Sequence, residues 1–179
     1  MKKEIEKKYR VESLAEIEKK LITLGAEFKG VAQERDIYFN VSGRDSMTTK
    51  ECLRVRSSSQ KQEITYKPPS KRDDRATHFA KQETNLPIKD IDIARDLLIC
   101  LGNSLLVDFI KDRKYYSLDG TTITLDMLNS RHSFVEIEVE SNDEVEAVAR
   151  IQDVEQLLGL SDDLVEKRPY RDIAMGVDA

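Results

Sequence analysis

The chain has 179 residues, 35% of them charged and 6% aromatic, with a formal net charge of -5 at pH 7. That length holds one domain with a substantial core, expected over residues 1–173 with a flexible tail at 174–179, and apolar residues recur too regularly for a disordered chain. The acidic balance argues against general nucleic-acid binding, and no stretch approaches the roughly 18 apolar residues of a membrane span. Met1-Lys2-Lys3-Glu4 leads into a charged strand without a signal-peptide core, so a cytoplasmic protein is expected. Cys52 and Cys100, each beside a leucine and without CxxC spacing, read as free thiols.

Glu4, Glu6 and Lys8 alternate with Ile5 and Lys7, the period of two of a β-strand. Ser13 with Glu16 forms a capping box, and Leu14, Ile17, Leu21 and Leu24 recur at helical spacing until Gly25, a helix of about three turns. Strand-like runs follow at 33–40, 51–57, 62–67 and 77–86. An aspartate at 90 or 92 opens a second helix carrying Ile91, Ala94, Leu97, Leu98 and Leu101, which ends at Gly102. Further strands are expected at 107–117, 121–127 and 133–140, in a large antiparallel sheet. A third helix runs from about Asp143 to Leu158 with Ala147, Ile151, Val154 and Leu158 on one face. Residues 42–50 and 68–76 have the composition of mobile loops, and the chain beyond Ile173 reads as frayed. A shift of 77 positions places Leu21 on Leu98, Leu24 on Leu101, Gly25 on Gly102, Tyr38 on Tyr115 and Glu6 on Glu83. Two such strand-helix-strand halves could close a barrel about a pseudo-twofold axis.

The charged residues segregate by strand. Glu4 and Glu6, and again Glu136 and Glu138, put two carboxylates on one strand face about 6 to 7 Å apart. Oxygen-only ligands of this kind suit a hard cation, Mg²⁺ or Mn²⁺. Arg54 with Arg56 and Lys111 with Arg113 are cationic pairs of the same spacing; Lys67 and Lys81 add positive charge, Glu83 and Asp126 negative. A solvated sheet usually interleaves opposite charges across its strands. Strands of single sign make sense if they converge on a polyphosphate with its metal ions, the arginine forks on phosphate oxygens and the carboxylates on metal. Outward pointing would make the same residues an ordinary polar surface. P-loop and dinucleotide glycine motifs are absent, and His78 and His132 read as structural or surface residues.

Glu4-Ile5-Glu6-Lys7-Lys8, Leu53-Arg54-Val55-Arg56, Thr65-Tyr66-Lys67 and Phe134-Val135-Glu136-Ile137-Glu138 occur in an ordered series. In this series the chain resembles the CYTH superfamily, the triphosphate tunnel metalloenzymes, over nearly its whole length. Arg35-Asp36-Ile37-Tyr38-Phe39-Asn40, Thr65-Tyr66-Lys67-Pro68 and Leu125-Asp126 look most like the class IV adenylyl cyclase branch. The chain departs from the usual pattern at Ser130-Arg131-His132-Ser133, in place of a glycine-rich turn, and at Asn85, in place of a second acid.

The resemblance implies an α+β fold, a closed antiparallel eight-stranded β-barrel with flanking helices. It implies metal ligands among Glu4, Glu6, Asp126, Glu136 and Glu138, with Lys8 and the two Glu pairs catalytic. Triphosphate would be held by Lys8, Arg54, Arg56, Lys67, Lys81, Lys111, Arg113 and Lys167, with Glu83 and Tyr170 also in the tunnel. The expected activity is conversion of ATP to 3′,5′-cyclic AMP and pyrophosphate with Mg²⁺ or Mn²⁺. Hydrolysis of an inorganic, thiamine or nucleoside triphosphate, non-catalytic polyphosphate binding and a purely structural β-domain stay open, and a homodimer is compatible with all of them.

Overall fold

The computed structural model describes residues 3–69, 79–81 and 83–176, with side chains described for 4–69 and 83–176. Nine strands form one antiparallel sheet: β1 (Lys3–Val11), β2 (Glu27–Asn40), β3 (Cys52–Ser57), β4 (Gln62–Lys67), β5 (Phe79–Lys81), β6 (Thr84–Pro87), β7 (Ser104–Leu118), β8 (Thr121–Leu128) and β9 (His132–Ser141). Their order across the sheet is β5-β1-β9-β8-β7-β2-β3-β4-β6. The helices are α1 (Leu14–Thr23), α2 (Ser46–Thr49), α3 (Ile91–Cys100), α4 (Glu144–Leu158) and α5 (Tyr170–Ala174), with a 3-10 turn at Asp162–Leu164. None of the described helices is long and apolar enough to cross a membrane.

The α+β class holds, but the sheet is open where a closed eight-stranded barrel was expected. The run expected as one strand at 77–86 divides: β5 pairs with β1, and β6 pairs with β4. Closure would require one level of that run to bond neighbours on both sides. Here its first part bonds only one neighbour and its second part only the other, so among the described residues no ladder joins the two edges. Lys67 of β4 nevertheless lies 4.0 Å from Glu4 of β1, near the other edge of the sheet, so the charged face is the concave wall of a strongly curled sheet.

The shift of 77 positions carries β1, α1 and β2 onto β6, α3 and β7, while the strands after them match in sheet position and not at that spacing. About the central pair β2 and β7, the strands fall in matched positions: β3 with β8, β4 with β9, and β6 with β1. Glu34 and Lys111, related by the shift, face each other across that central pair. Each half carries its helix between the matched strands, α1 after β1 and α3 after β6.

Alternation sorts the side chains. On the convex face Ile5, Tyr9, Ile123, Leu125, Val135, Ile137 and Val139 pack with Ile17 and Leu21 of α1 and Ile151, Val154 and Leu158 of α4. Ile37, Phe39, Leu53 and Val55 pack with Ala94 and Leu98 of α3. Lys7 is an exception on this face, buried with its Nζ 2.6 Å from Glu155 Oε1 and 2.9 Å from Asp162 Oδ1, an ion pair that pins α4 to β1.

The caps form as the sequence indicated. Ser13 Oγ accepts from the Glu16 amide, and the Asp90 carboxylate accepts from the Asp92 and Ile93 amides at 2.9 and 3.0 Å. Asp90→Ala is expected to lower stability by about 1 kcal/mol, read by urea denaturation; an unchanged midpoint would show the cap to be dispensable. Gly159, at φ 67, ends α4 in the left-handed conformation that glycine adopts without strain. Residues 42–50, expected as a mobile loop, contain α2 instead. Asp45 caps it through the Met47 amide at 2.9 Å, and Ser46 is buried. Residues 70–76 of the second expected loop lie outside the described residues.

Candidate functional site

Register decides which charges share a face. Glu4 lies opposite Glu140, Glu6 opposite Glu138, and Lys8 opposite Glu136 on the β1/β9 ladder, and Thr124 follows beside Glu136 on β8. Arg113 faces Asp126, Lys111 faces Glu34, Asp36 faces Arg56, and Arg54 faces Thr65 on the strands that follow. With period two these residues and Lys67 all line the concave wall.

Most of the cations are already held. Arg113 donates to both oxygens of Asp126, at 2.6 and 2.5 Å, and also to Glu136 Oε2. Arg56 forks onto Asp36 at 2.6 and 2.7 Å. Glu34 sits 3.1 Å from Lys111 Nζ and 3.2 Å from Arg56, and its other oxygen accepts from the Tyr115 hydroxyl at 2.7 Å. Burial alone would push the Asp36 carboxyl up; Arg56 and Arg54 instead hold it down at about 2. Lys67 Nζ lies 2.7 Å from Glu83 and 4.0 Å from Glu4.

The acidic end is arranged differently. Oxygens of Glu4, Glu138 and Glu140 lie within 4.8 Å of one another. Burial, with the charges of Glu4, Glu6 and Glu136, pushes Glu138 up to about 7. Glu6 is raised by burial and by Glu136, and Glu4 by burial and by Glu83. Carboxylates that repel one another in this way fit a hard divalent cation, which would offset that repulsion.

The far end is plugged by apolar groups from the same wall, Tyr38, Phe109, Leu128 and Phe134, packed with Tyr170 and Ile173 of α5. The Tyr170 hydroxyl donates to Asp126, and its ring lies under Lys8 Nζ at 4.2 Å and Lys111 Nζ at 4.5 Å. Lys8 Nζ donates to the Arg168 carbonyl at 2.6 Å.

The structure thus brings Glu4, Glu6, Lys8, Arg54, Arg56, Lys67, Glu83, Lys111, Arg113, Asp126, Glu136, Glu138 and Tyr170 to one wall. Asp126 is fully buried, its two oxygens engaged by Arg113 and Tyr170. Lys167 is exposed on the segment before α5. Lys81 pairs with Glu4 in the β1/β5 ladder, and its side chain lies outside the described residues. Sequence reasoning missed Glu34, Asp36 and Glu140 as site residues. The alternation Glu34-Arg35-Asp36 and the continuation of Glu136-x-Glu138 to Glu140 carried the signal.

A concave sheet wall carrying arginine forks beside a carboxylate cluster has the groups that suit phosphate oxygens and a divalent cation. The sequence matches the CYTH domain family over residues 2–170, and the chain belongs to that family, the triphosphate tunnel metalloenzymes, which act on triphosphates with divalent metal ions. A Methanocaldococcus jannaschii protein named "Putative adenylate cyclase" is 24% identical over 173 residues, 95% of this chain and 97% of that one. The solved structure of the PH1012 protein from Pyrococcus horikoshii OT3 superposes with a TM-score of 0.81 at 30% identity, over 94% of this chain and 98% of that one. A Hippeastrum adenylyl cyclase homologue, described as having a dominant triphosphatase activity, shares the fold with a TM-score of 0.65 at 17% identity, over 88% of each chain.

Proposed function

We propose that this chain is an adenylyl cyclase of the class IV type, converting ATP to 3′,5′-cyclic AMP and pyrophosphate. The observation that carries the reading is the placement of the Glu4, Glu138 and Glu140 cluster beside the cations of one concave wall. The name of the full-length Methanocaldococcus relative points the same way. In the reaction the ribose 3′-oxygen bonds to the α-phosphorus, the bond to the α,β-bridging oxygen breaks, the hydroxyl proton passes to solvent and pyrophosphate leaves.

Glu4, Glu138 and Glu140, with Glu6 beside them, would hold Mg²⁺ or Mn²⁺, which when bound neutralises phosphate charge and lowers the pKa of the attacking hydroxyl. Arg54, Arg56, Lys67, Lys111 and Arg113 hold the β and γ oxygens. Asp36 and Asp126 orient two of those guanidiniums before substrate arrives, so little reorganisation accompanies the reaction. Lys8, tethered to the Arg168 carbonyl, joins the acidic and cationic regions.

Hydrolysis by water is the second reading, favoured by the triphosphatase activity described for the Hippeastrum homologue. Chromatography of products from ATP and, separately, from tripolyphosphate, with Mg²⁺ or Mn²⁺, distinguishes them. Cyclic AMP with pyrophosphate is expected from ATP. Only ADP and phosphate from ATP, or cleavage of tripolyphosphate alone, replaces the cyclase with a triphosphatase.

A further inference from the structure

Two aspartates of the wall each orient one guanidinium. Asp36 accepts from Nε and Nη2 of Arg56, and Asp126 accepts from Nε and Nη2 of Arg113, so both forks are fixed without a further anion. Glu34 instead lies between two cations of different strands: its Oε2 is 3.2 Å from Nη1 of Arg56 on β3 and 3.1 Å from Nζ of Lys111 on β7. Among the described residues that oxygen takes no hydrogen bond, so charge holds it there, while Oε1 accepts from the Tyr115 hydroxyl at 2.7 Å. Glu34 is 1% exposed. Burial alone would push its carboxyl up; the charges of Lys111, Arg113 and Arg56 hold it well below the ordinary carboxylate range, and it is ionised at neutral pH. The shift of 77 positions carries Glu34 onto Lys111, and the two meet across the central pair β2 and β7. At the middle of the wall one half therefore presents an anion where the other presents a cation.

We infer that the Glu34 carboxylate occupies the seat between Arg56 and Lys111 that phosphate oxygens would take, and that it makes the wall selective for the divalent-metal complex of a triphosphate over the free anion. The inference rests on the reading of this wall as a triphosphate site. Nη1 of Arg56 and Nζ of Lys111 are donors that Asp36 and Asp126 do not take at hydrogen-bonding distance, the nearer Asp126 oxygen lying 4.0 Å from Lys111, and Glu34 faces both. An entering phosphate must share these two cations with a carboxylate, and like charges repel most where burial keeps solvent from screening them. Lys67 is likewise matched by Glu83 at 2.7 Å. A divalent cation that arrives with the triphosphate cancels two of its charges and so weakens the repulsion that Glu34 imposes. The carboxylate thus discriminates by repulsion, against the more highly charged of two forms of one ligand.

Calorimetry with tripolyphosphate, in chelator and then with Mn²⁺, tests this through Glu34→Gln, which keeps the shape and the acceptor for Tyr115 and removes the charge. Wild type is expected to bind tripolyphosphate far more tightly with Mn²⁺ than in chelator. Glu34→Gln should gain on the order of 10-fold or more in chelator and change less with Mn²⁺, so that the ratio of the two affinities falls. Glu34→Asp retains the charge and should retain the wild-type ratio. Because glutamine leaves Arg56 and Lys111 short of an anion, tens of millimolar inorganic phosphate without metal should raise the melting temperature of Glu34→Gln by more than that of wild type, a readout open even to a variant too unstable to titrate. No binding to wild type in either condition overturns the triphosphate reading, and the inference falls with it. Equal affinities of wild type with and without Mn²⁺ leave that reading standing and overturn the inference alone. So does a Glu34→Gln variant whose metal-free affinity is unchanged, one that phosphate stabilises no more than wild type, or an equal gain in Glu34→Asp.

Discussion

Arg113→Ala is expected to lower the unfolding free energy by about 3 to 5 kcal/mol and to abolish triphosphate binding. The guanidinium is 10% exposed and its partner Asp126 not at all, so its removal strands a carboxylate in the wall. Asp126 would keep the Tyr170 hydroxyl and Lys111, the latter at 4.0 Å. Burial alone would push the Asp126 carboxyl up, and Arg113 and Lys111 hold it below its ordinary value. Its contribution to stability is therefore present above the ordinary carboxylate pKa and lost as pH falls, and this acid sensitivity should shrink in the variant. Adding Asp126→Asn removes the stranded charge and should recover part of the stability while leaving binding absent. Urea denaturation reads the first effect and calorimetry with tripolyphosphate the second. A single variant that unfolds within about 1 kcal/mol of wild type, or that still binds triphosphate, would remove Arg113 from both roles.

Glu138→Gln is expected to lower metal-dependent turnover by on the order of 100-fold or more, beyond the 10- to 100-fold typical of a group outside the metal's own ligands. The same change should stabilise the metal-free protein at neutral and alkaline pH. The folded carboxyl titrates at about 7 against an ordinary 4.5, so its contribution to stability is fully present below the ordinary value and is lost as pH rises through about 7. Glutamine cannot ionise, and the variant should melt a few degrees above wild type at about pH 8 and together with it at about pH 4. Melting curves of chelator-treated protein across that range test the sign. A variant less stable than wild type at alkaline pH, or one with full metal-dependent turnover, would contradict a repulsive cluster relieved by a cation.

Much of this arrangement was legible in the order of residues. Glu4, Glu6, Glu136 and Glu138 could be placed on strand faces because side-chain direction alternates with a fixed period of two, whatever the strand pairs with. Helix limits could be read because Ser13, Asp90 and Asp143 satisfy amides within three residues of themselves. Tertiary structure decided what each charge does, since that depends on the neighbouring strand. Register sets Asp126 against Arg113, and the same sheet brings Glu138 and Glu140 to Glu4, where among the described residues neither of the two forms an ion pair. Glu34 and Asp36 became members of the wall only when β3 and β7 supplied Arg56 and Lys111 beside them. Closure was likewise undecidable from periodicity. A strand pattern states which way side chains point, while the neighbour bonded by each backbone edge is fixed only when the whole sheet curls, and here β5 and β6 bond different neighbours.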